Sequence, residues 1–383
     1  MESDKSDLAL SQNQNSKFLE IFRNVPYTPI YNETVDNEPN NFLNVIIIKP
    51  KYKINIPIGG TRLTSDKIKF NIDGNINYFI KNFFLKVNID GLTDDVQYGR
   101  IFFKNIYLKQ HNKVIAKCDS AYINSRINDN NNTTVDIYEN ILTYDDNNEF
   151  IVPIFFWCLE NDNSNILSAF HKNLYVEVEL NDELTLPEYT SINIELIVHQ
   201  KCYEQSFINS YISQVYENEN ESRNYFIYDI YTIKEPLVLN SVSKSFNLNY
   251  PFFVSSIHVN IFGLNDAGTL FTSNNVKKIT LMCKNQSILI MDKKMNLLKN
   301  LTNYKVHKLP ETNDNGLSYY FSDNRRGFVG IKSGLDLSTG PYELIVEFNE
   351  ALDNQYCYIT LEYYDIITSS NKTGAFNNNF IMH

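Results

Sequence analysis

Tyr175-Val176-Glu177-Val178-Glu179-Leu180 places Val176, Val178 and Leu180 on one side of an extended chain and Glu177 and Glu179 on the other. A two-residue period of this kind belongs to a strand with one buried face. The same alternation returns in Ile192-Asn193-Ile194-Glu195-Leu196 and in Leu344-Ile345-Val346-Glu347-Phe348, and Tyr358-Ile359-Thr360-Leu361-Glu362-Tyr363 is strongly β-forming. Further strands are predicted near 42–48, 52–57, 67–72, 78–89, 100–109, 113–117 and 150–156. In the second half they fall near 226–233, 238–248, 253–262, 276–283, 287–292, 304–308, 317–321 and 327–332. Polar turn clusters such as Asn128-Asp129-Asn130-Asn131-Asn132 and Asn313-Asp314-Asn315-Gly316 separate them.

Helical spacing is confined to two stretches. Ser164 to His171 opens with a serine able to cap a first turn. Glu204 to Asn220 carries Phe207, Tyr211, Ile212 and Val215 at helix-like intervals, then runs into the acidic Glu217-Asn218-Glu219-Asn220-Glu221, which suits a linker between two halves. Each half then holds about eight strands, the number in a jelly roll. The predicted fold is all-β, with two consecutive eight-stranded jelly-roll sandwiches. Its parts are a polar N-terminal arm over 1–24, a first jelly roll over 25–215, a second over 216–368 and a C-terminal tail over 369–383.

Composition agrees with this reading. The 383 residues include 26 Tyr and 25 Phe beside only 13 Gly, and aromatic side chains suit a pleated, half-buried surface. Apolar runs such as Val45-Ile46-Ile47-Ile48 are far shorter than the ~20 residues of a membrane helix. The first 20 residues are polar and acidic, so no secretory signal is expected. The formal charge of -11 argues against a protein whose main task is to coat phosphate backbone, and no direct nucleic-acid contact is expected. Cys118, Cys158, Cys202, Cys283 and Cys357 are odd in number, dispersed and free of any C-x-x-C, as befits reduced thiols in a reducing compartment.

Searching for chemistry returns little. The six histidines form no H-E-x-x-H, and His199, following Glu195 to Val198, reads as a structural residue. No G-x-S-x-G, P-loop or G-x-G-x-x-G occurs. Asn161-Asp162-Asn163-Ser164-Asn165 resembles the start of a calcium loop, but Lys172 stands where a bidentate glutamate is needed, so a polar turn is the reading. No enzymatic activity, catalytic residue, metal or cofactor is expected.

Phe150-Ile151-Val152-Pro153-Ile154-Phe155-Phe156-Trp157-Cys158, a polar turn, Leu167 through His171 and the strand Tyr175 to Leu180 follow one another in an order that resembles the double jelly-roll major capsid proteins of nucleocytoplasmic large DNA viruses. There a Pro-hydrophobic-aromatic-Trp-Phe strand runs into a short helical stretch and a strand of alternating charge. Lys244-Ser245-Phe246-Asn247-Leu248-Asn249-Tyr250-Pro251 resembles the family's Phe-Asn-His-Pro segment opening the second jelly roll, with Phe253 to Phe262 as the strand that follows. Tyr363-Tyr364-Asp365-Ile366-Ile367 with Gly374-Ala375-Phe376 resembles its closing strand and tail, and Ile101 to Lys117 its strand pair turning at His111-Asn112-Lys113. The likeness spans roughly residues 20 to 376. The chain departs from the family at Ile21-Phe22-Arg23-Asn24, where a more basic stretch is usual.

This resemblance implies a structural role for nine positions: Pro153, Phe155, Phe156, Trp157, Phe246, Asn247, Pro251, Tyr363 and Tyr364. Phe155, Phe156 and Trp157 are expected in the sandwich core or at the junction of the jelly rolls, and Pro153 and Pro251 at strand entry. It further implies a homotrimer whose six similar wedges form a pseudo-hexagonal capsomer that tiles an icosahedral shell. The implied partners are neighbouring capsomers, minor capsid proteins and an underlying membrane. The implied location is the virion, assembled in host cytoplasm. Two other readings stay open: a fold-related scaffold of immature virions, and a β-sandwich carbohydrate-binding protein.

Overall fold

The computed structural model describes residues 41–50, 67–72, 78–90, 101–129, 149–160, 166, 171–182, 184, 191–216, 222–237, 241–264, 270–272, 276–292, 316–321, 334–352 and 355–377. In the first half the chain forms β1 (Asn41–Ile48), β2 (Lys67–Asn71), β3 (Tyr78–Asp90), β4 (Phe103–Gln110) and β5 (Lys113–Asp119). Helix α1 (Ser120–Asp129), β6 (Glu149–Ile154), the short helix α2 (Trp157–Glu160), β7 (Leu174–Leu180) and β8 (Ser191–Tyr203) complete it. Two four-stranded antiparallel sheets result, in the orders β1-β8-β3-β6 and β2-β7-β4-β5.

Helix α3 (Gln205–Tyr216) leads to the second half. There β9 (Ser222–Pro236), β10 (Ser241–Asn247), β11 (Phe253–Leu264), the short β12 (Leu270–Thr272), β13 (Val276–Cys283) and β14 (Gln286–Asp292) follow. The last elements are β15 (Gly316–Tyr320), β16 (Leu335–Asp336), β17 (Tyr342–Leu352), β18 (Tyr356–Ser370) and β19 (Phe376–Asn377). One sheet has the order β10-β17-β13-β14; in the other, β9 pairs with β18, β18 with β11, and β15 and β16 lie along β11. With β15 and β16 together holding the place of β6, the second sandwich repeats the strand order of the first and adds the short β12 beside β11 and β19 beside β18.

The repetition reaches single residues. The β3–β8 ladder slips between Ile80 and Asn82, as β11–β18 does between Val254 and Ser256. Shifts between Phe103 and Asn105 and between Leu108 and Lys109 have counterparts between Val276 and Lys278 and between Leu281 and Met282. Two-residue turns close both β4–β5 and β13–β14, with His111 and Asn112 at φ 48° and 70° and Lys284 and Asn285 at 49° and 64°. Left-handed residues at both central positions give the turn whose twist matches the flanking strands, and asparagine tolerates that conformation.

Each sandwich closes on its own core. In the first, Phe83, Leu85 and Val87 of β3 meet Val176, Val178 and Leu180 of β7, together with Phe102, Phe103 and Phe150. In the second, Ile257, Val259 and Ile261 of β11 face Ile279, Leu281, Leu344 and Val346. The 15-residue strands β9 and β18 serve both: Tyr225, Ile227, Ile230 and Ile367 join the first core, while Ile359 and Leu361 join the second. Helix α3 makes a smaller cluster in which Ile208 and Tyr211 pack on Phe79 and Tyr203.

Several expectations are corrected. The strand expected over 150–156 ends at Ile154, and Trp157 opens α2. Phe156, Trp157 and Cys158 are all buried, with the Trp157 indole N–H bonded to the Ile115 carbonyl. Helix α1 forms where no helix is expected and reaches Asp129, inside an expected turn cluster. Asp119 caps it by accepting from the Tyr122 amide at 2.9 Å. Strand β18 continues to Ser370, past the expected start of the tail, and Phe376 beyond it is buried in the first core. The strands expected at 52–57, 304–308 and 327–332, the 217–221 linker and the 1–24 arm lie outside the described residues, as does most of the 164–171 helix.

Candidate functional site

Among the described residues no cluster of three or more His, Cys, Asp or Glu is placed to hold a metal. No helix of the described residues is long and apolar enough to cross a membrane. What the structure builds instead is a junction between the sandwiches, and a set of outer faces.

Helix α1 and the end of β5 lie on the outer face of the β9-β18-β11 sheet. Tyr122 of α1 donates to Glu362 Oε2 of β18 at 2.6 Å, and Ser255 of β11 donates to Oε1 at 2.9 Å. Asn260 of β11 donates to Ser125 Oγ at 2.6 Å. Thr232 of β9 donates to Asp119 Oδ2 at 2.7 Å and lies 3.1 Å from the Thr360 hydroxyl. His258 sits between Ser256 and Ser318 at 2.8 and 2.9 Å, with its ring edge-on to Tyr122. All of these groups except Thr232 are buried. A buried polar group costs little only when it finds a partner, so this layer of paired groups fixes one orientation of the two halves. Arg126, also buried, reaches over the rings of Phe155 at 5.4 Å and Tyr122 at 5.9 Å.

A second fastening holds the C-terminal segment to the first sandwich. Gln110 donates to the carbonyls of Lys172 and Gly374 at 2.9 and 3.1 Å and accepts from the Phe376 amide at 2.7 Å. His171 lies 2.9 Å from the Gly374 carbonyl and 3.2 Å from the Tyr225 hydroxyl, and stacks on Phe376 with ring centroids 4.4 Å apart.

The nine positions singled out in the sequence divide between these regions. Pro153, at the end of β6, pairs with Phe84 of β3. Phe156 packs edge-on against Phe83, and Trp157 lies against Tyr225 of β9 while its indole N–H donates to the Ile115 carbonyl at 2.9 Å. Phe155 is half-buried beneath Arg126. Phe246 is in the second core, whereas Asn247 and Pro251 are exposed. Tyr363 stacks on Phe252 at 4.1 Å and donates to Asp229 at 2.9 Å; burial first, then the Asp229 carboxylate, pushes its hydroxyl far above the usual phenol range. Tyr364 meets Tyr228 and Phe253. The segment around Pro251 thus meets Tyr363 through Phe252, while Trp157 belongs to the first core, and no single constellation unites the nine.

The polar junction was not foreseen. Ser255, Ser256, His258 and Asn260 carried its signal: polar residues recur on one side of a strand whose other side, Val254, Ile257, Val259 and Ile261, is core.

The outer faces differ. On the β2-β7-β4-β5 sheet, Glu177 receives Lys109 at 2.6 Å, with Lys69 at 3.6 Å and Lys67 at 3.9 Å. Burial pushes the Glu177 carboxyl up, but the Lys109 hydrogen bond and the three lysine charges outweigh it and hold the group below its ordinary value. On the β1-β8-β3-β6 sheet, Ile47, Ile197, Phe84 and Pro153 form one apolar row in register across all four strands.

No family model matches the chain, and no curated protein matches it in sequence. Its backbone, however, is similar to those of solved capsid structures. The PBCV-1 virus capsid superposes with a TM-score of 0.66 at 10% identity, covering 91% of this chain and 99% of that one. The Faustovirus major capsid protein gives 0.59 at 7% identity, with 95% and 97% covered. The mavirus major capsid protein gives 0.50 at 8% identity, with 94% and 95% covered. Two sandwiches of one strand order, matched over nearly the whole length of both partners, identify this chain as a double jelly-roll protein with the fold of these viral capsid structures.

Proposed function

We propose that this chain is the major capsid protein of a large DNA virus, a structural protein without enzymatic activity that forms homotrimeric, pseudo-hexagonal capsomers tiling an icosahedral shell. The observation that carries the reading is the residue-level repetition of one sandwich within a chain whose fold is shared with solved capsid structures. Two similar wedges per chain, repeated about a threefold axis, give six similar sides, and a six-sided block contacts neighbours in every direction of a flat lattice. Such a task needs rigid wedges and no reactive group. The paired junction between the sandwiches supplies rigidity, since breaking it would strand several buried polar groups.

Neighbouring capsomers, minor capsid proteins and an underlying membrane are the partners this reading names, with assembly in the host cytoplasm and residence in the virion. The test is the purified chain's mass and shape. Sedimentation should give a particle of three chain masses, and negative-stain images should show a six-sided outline. A particle of one chain mass across micromolar concentrations would sink the proposal.

A further inference from the structure

We propose that the first sandwich carries a peptide-recognition site for an extended Gly-x-Phe segment, filled by the chain's own residues 374–376 as a releasable strap; this goes beyond the capsid reading and does not depend on it. Strand β18 outruns β11, whose pairing stops at Tyr363, and β19 takes up the edge beyond, with Thr368 opposite Asn377 and Ser369 opposite Phe376. Adding a short strand to a sheet edge is a recurrent way of binding a peptide. Beside that edge a single side-chain amide reads the backbone: Gln110 accepts from the Phe376 amide at 2.7 Å and donates to the Gly374 carbonyl at 3.1 Å. Lys113 Nζ lies 3.5 Å from the Phe376 carbonyl. The Phe376 ring, 1% exposed, is the anchor, with the rings of His171 and Tyr225 centred 4.4 and 5.6 Å away. Gly374 turns the chain into the site at φ 65°, a conformation that favours glycine. Main-chain bonds thus supply affinity, and one aromatic pocket and one left-handed turn supply selectivity.

The walls of the site are tied to one another as well as to the strap. Gln110 also donates to the Lys172 carbonyl at 2.9 Å, His171 Nε2 lies 3.2 Å from the Tyr225 hydroxyl, and Tyr225 rests against Trp157 at 5.8 Å. A site ordered by its own contacts loses little freedom when its ligand arrives. The strap closes on itself through a turn in which Gly374 N–H donates to the Ser370 carbonyl at 2.8 Å and Ser370 N–H to the Ala375 carbonyl at 2.9 Å. It therefore lifts away as a unit, and short terminal segments open locally at less cost than core strands. Its tether gives it an effective concentration on the order of millimolar, so it occupies the site ahead of any free peptide.

The experiment uses the full chain with Phe376→Lys, which sets a cation beside Lys113 and empties the pocket. The probe is a fluorescent peptide of residues 370–377, read by anisotropy, with circular dichroism to confirm folding. The peptide should bind this variant saturably, and the unaltered chain at least ~tenfold more weakly because the tethered strap competes. Replacing the peptide's phenylalanine by alanine, or adding Gln110→Ala to the variant, should each weaken binding at least ~tenfold. No saturable binding to the folded variant, or binding indifferent to both changes, would overturn the site. Should Phe376→Lys fail to fold, amide hydrogen exchange in the unaltered chain decides. The Phe376 amide should then exchange at least ~tenfold faster than that of Leu361 in the middle of β18. Equal rates would mean that the strap parts only when the whole fold does, and would overturn the proposal.

Discussion

The β9-β18-β11 and β1-β8-β3 sheets hold the same place in their sandwiches, yet their outer faces differ. The first presents Thr232, Thr360, Glu362, Ser256, His258 and Asn260, covered from the other sandwich and paired residue by residue. The second presents Val45, Ile47, Ile197 and Phe84 beside the ion pairs Lys49–Glu195 and Lys86–Glu149, and leaves Val45 51% and Ile47 58% exposed. A contact made once, during folding of one chain, can rely on directional polar pairs that only one docking satisfies. A surface that stays open before a partner arrives is better served by apolar side chains, which lose little while solvated and gain on burial without exact alignment. The same topology therefore carries two kinds of outer face, and the difference lies in the outward residues of each strand.

The largest expected effect concerns what the two sandwiches share. Trp157→Ala removes an indole 5% exposed, its contact with Tyr225 of β9 and its bond to the Ile115 carbonyl. We expect ~3–5 kcal/mol of lost stability in urea unfolding, the range for truncating a buried aromatic side chain. An unchanged transition midpoint would contradict the placement of Trp157 between β5 and the bridging strand β9.

The polar junction predicts the next effect in size. Tyr122→Phe deletes the donor to the buried Glu362 carboxylate while keeping the ring, and should cost ~1.5–3 kcal/mol. The loss should couple to Ser255→Ala, since both donors serve one carboxylate. If the double variant loses only the sum of the single effects, the shared carboxylate does not organise the junction.

How far the sequence exposed this architecture depends on what each residue answers to. Strands such as Leu174–Leu180 were legible because their two faces meet different solvents, which writes a period of two into the chain. The His111-Asn112 turn was legible because asparagine accepts a left-handed backbone. Helix α1 was not, because its Tyr122 and Ser125 are chosen for groups on β18 and β11, more than a hundred residues away, and not for helix propensity. The doubling of the sandwich was legible in the strand count of each half, while its residue-level register was not, because that is kept in matching ladder slips and turn geometry. The nine motif positions marked well-packed places in two separate cores, while the outward rows on β1 and β11 carry the distinction between closed and open faces.

A smaller effect sharpens the contrast on the remaining face of the first sandwich. Glu177 is held below its ordinary value, so its contribution is complete above the unfolded-state carboxylate pKa of ~4.3 and fades as pH falls through the lower folded value. Lys109→Met removes the closest lysine and should cost ~1–2 kcal/mol at neutral pH. That difference should shrink toward zero as Glu177 protonates in both proteins, so urea midpoints that diverge further below pH 4 would refute the assignment.

The smallest effect is the one the open face demands. Ile47→Thr keeps a β-branched residue on an edge strand and removes apolar surface that is 58% exposed in the single chain. In dilute solution, where chains are separate, its stability should lie within ~0.5 kcal/mol of the unaltered protein. Thr360→Val, the reciprocal exchange on the covered face, removes a fully buried hydroxyl 3.1 Å from Thr232 and should cost ~1 kcal/mol in the same measurement. Equal costs at the two positions would mean that β1 is already covered within its own chain, and the contrast between a paired face and an open one would be lost.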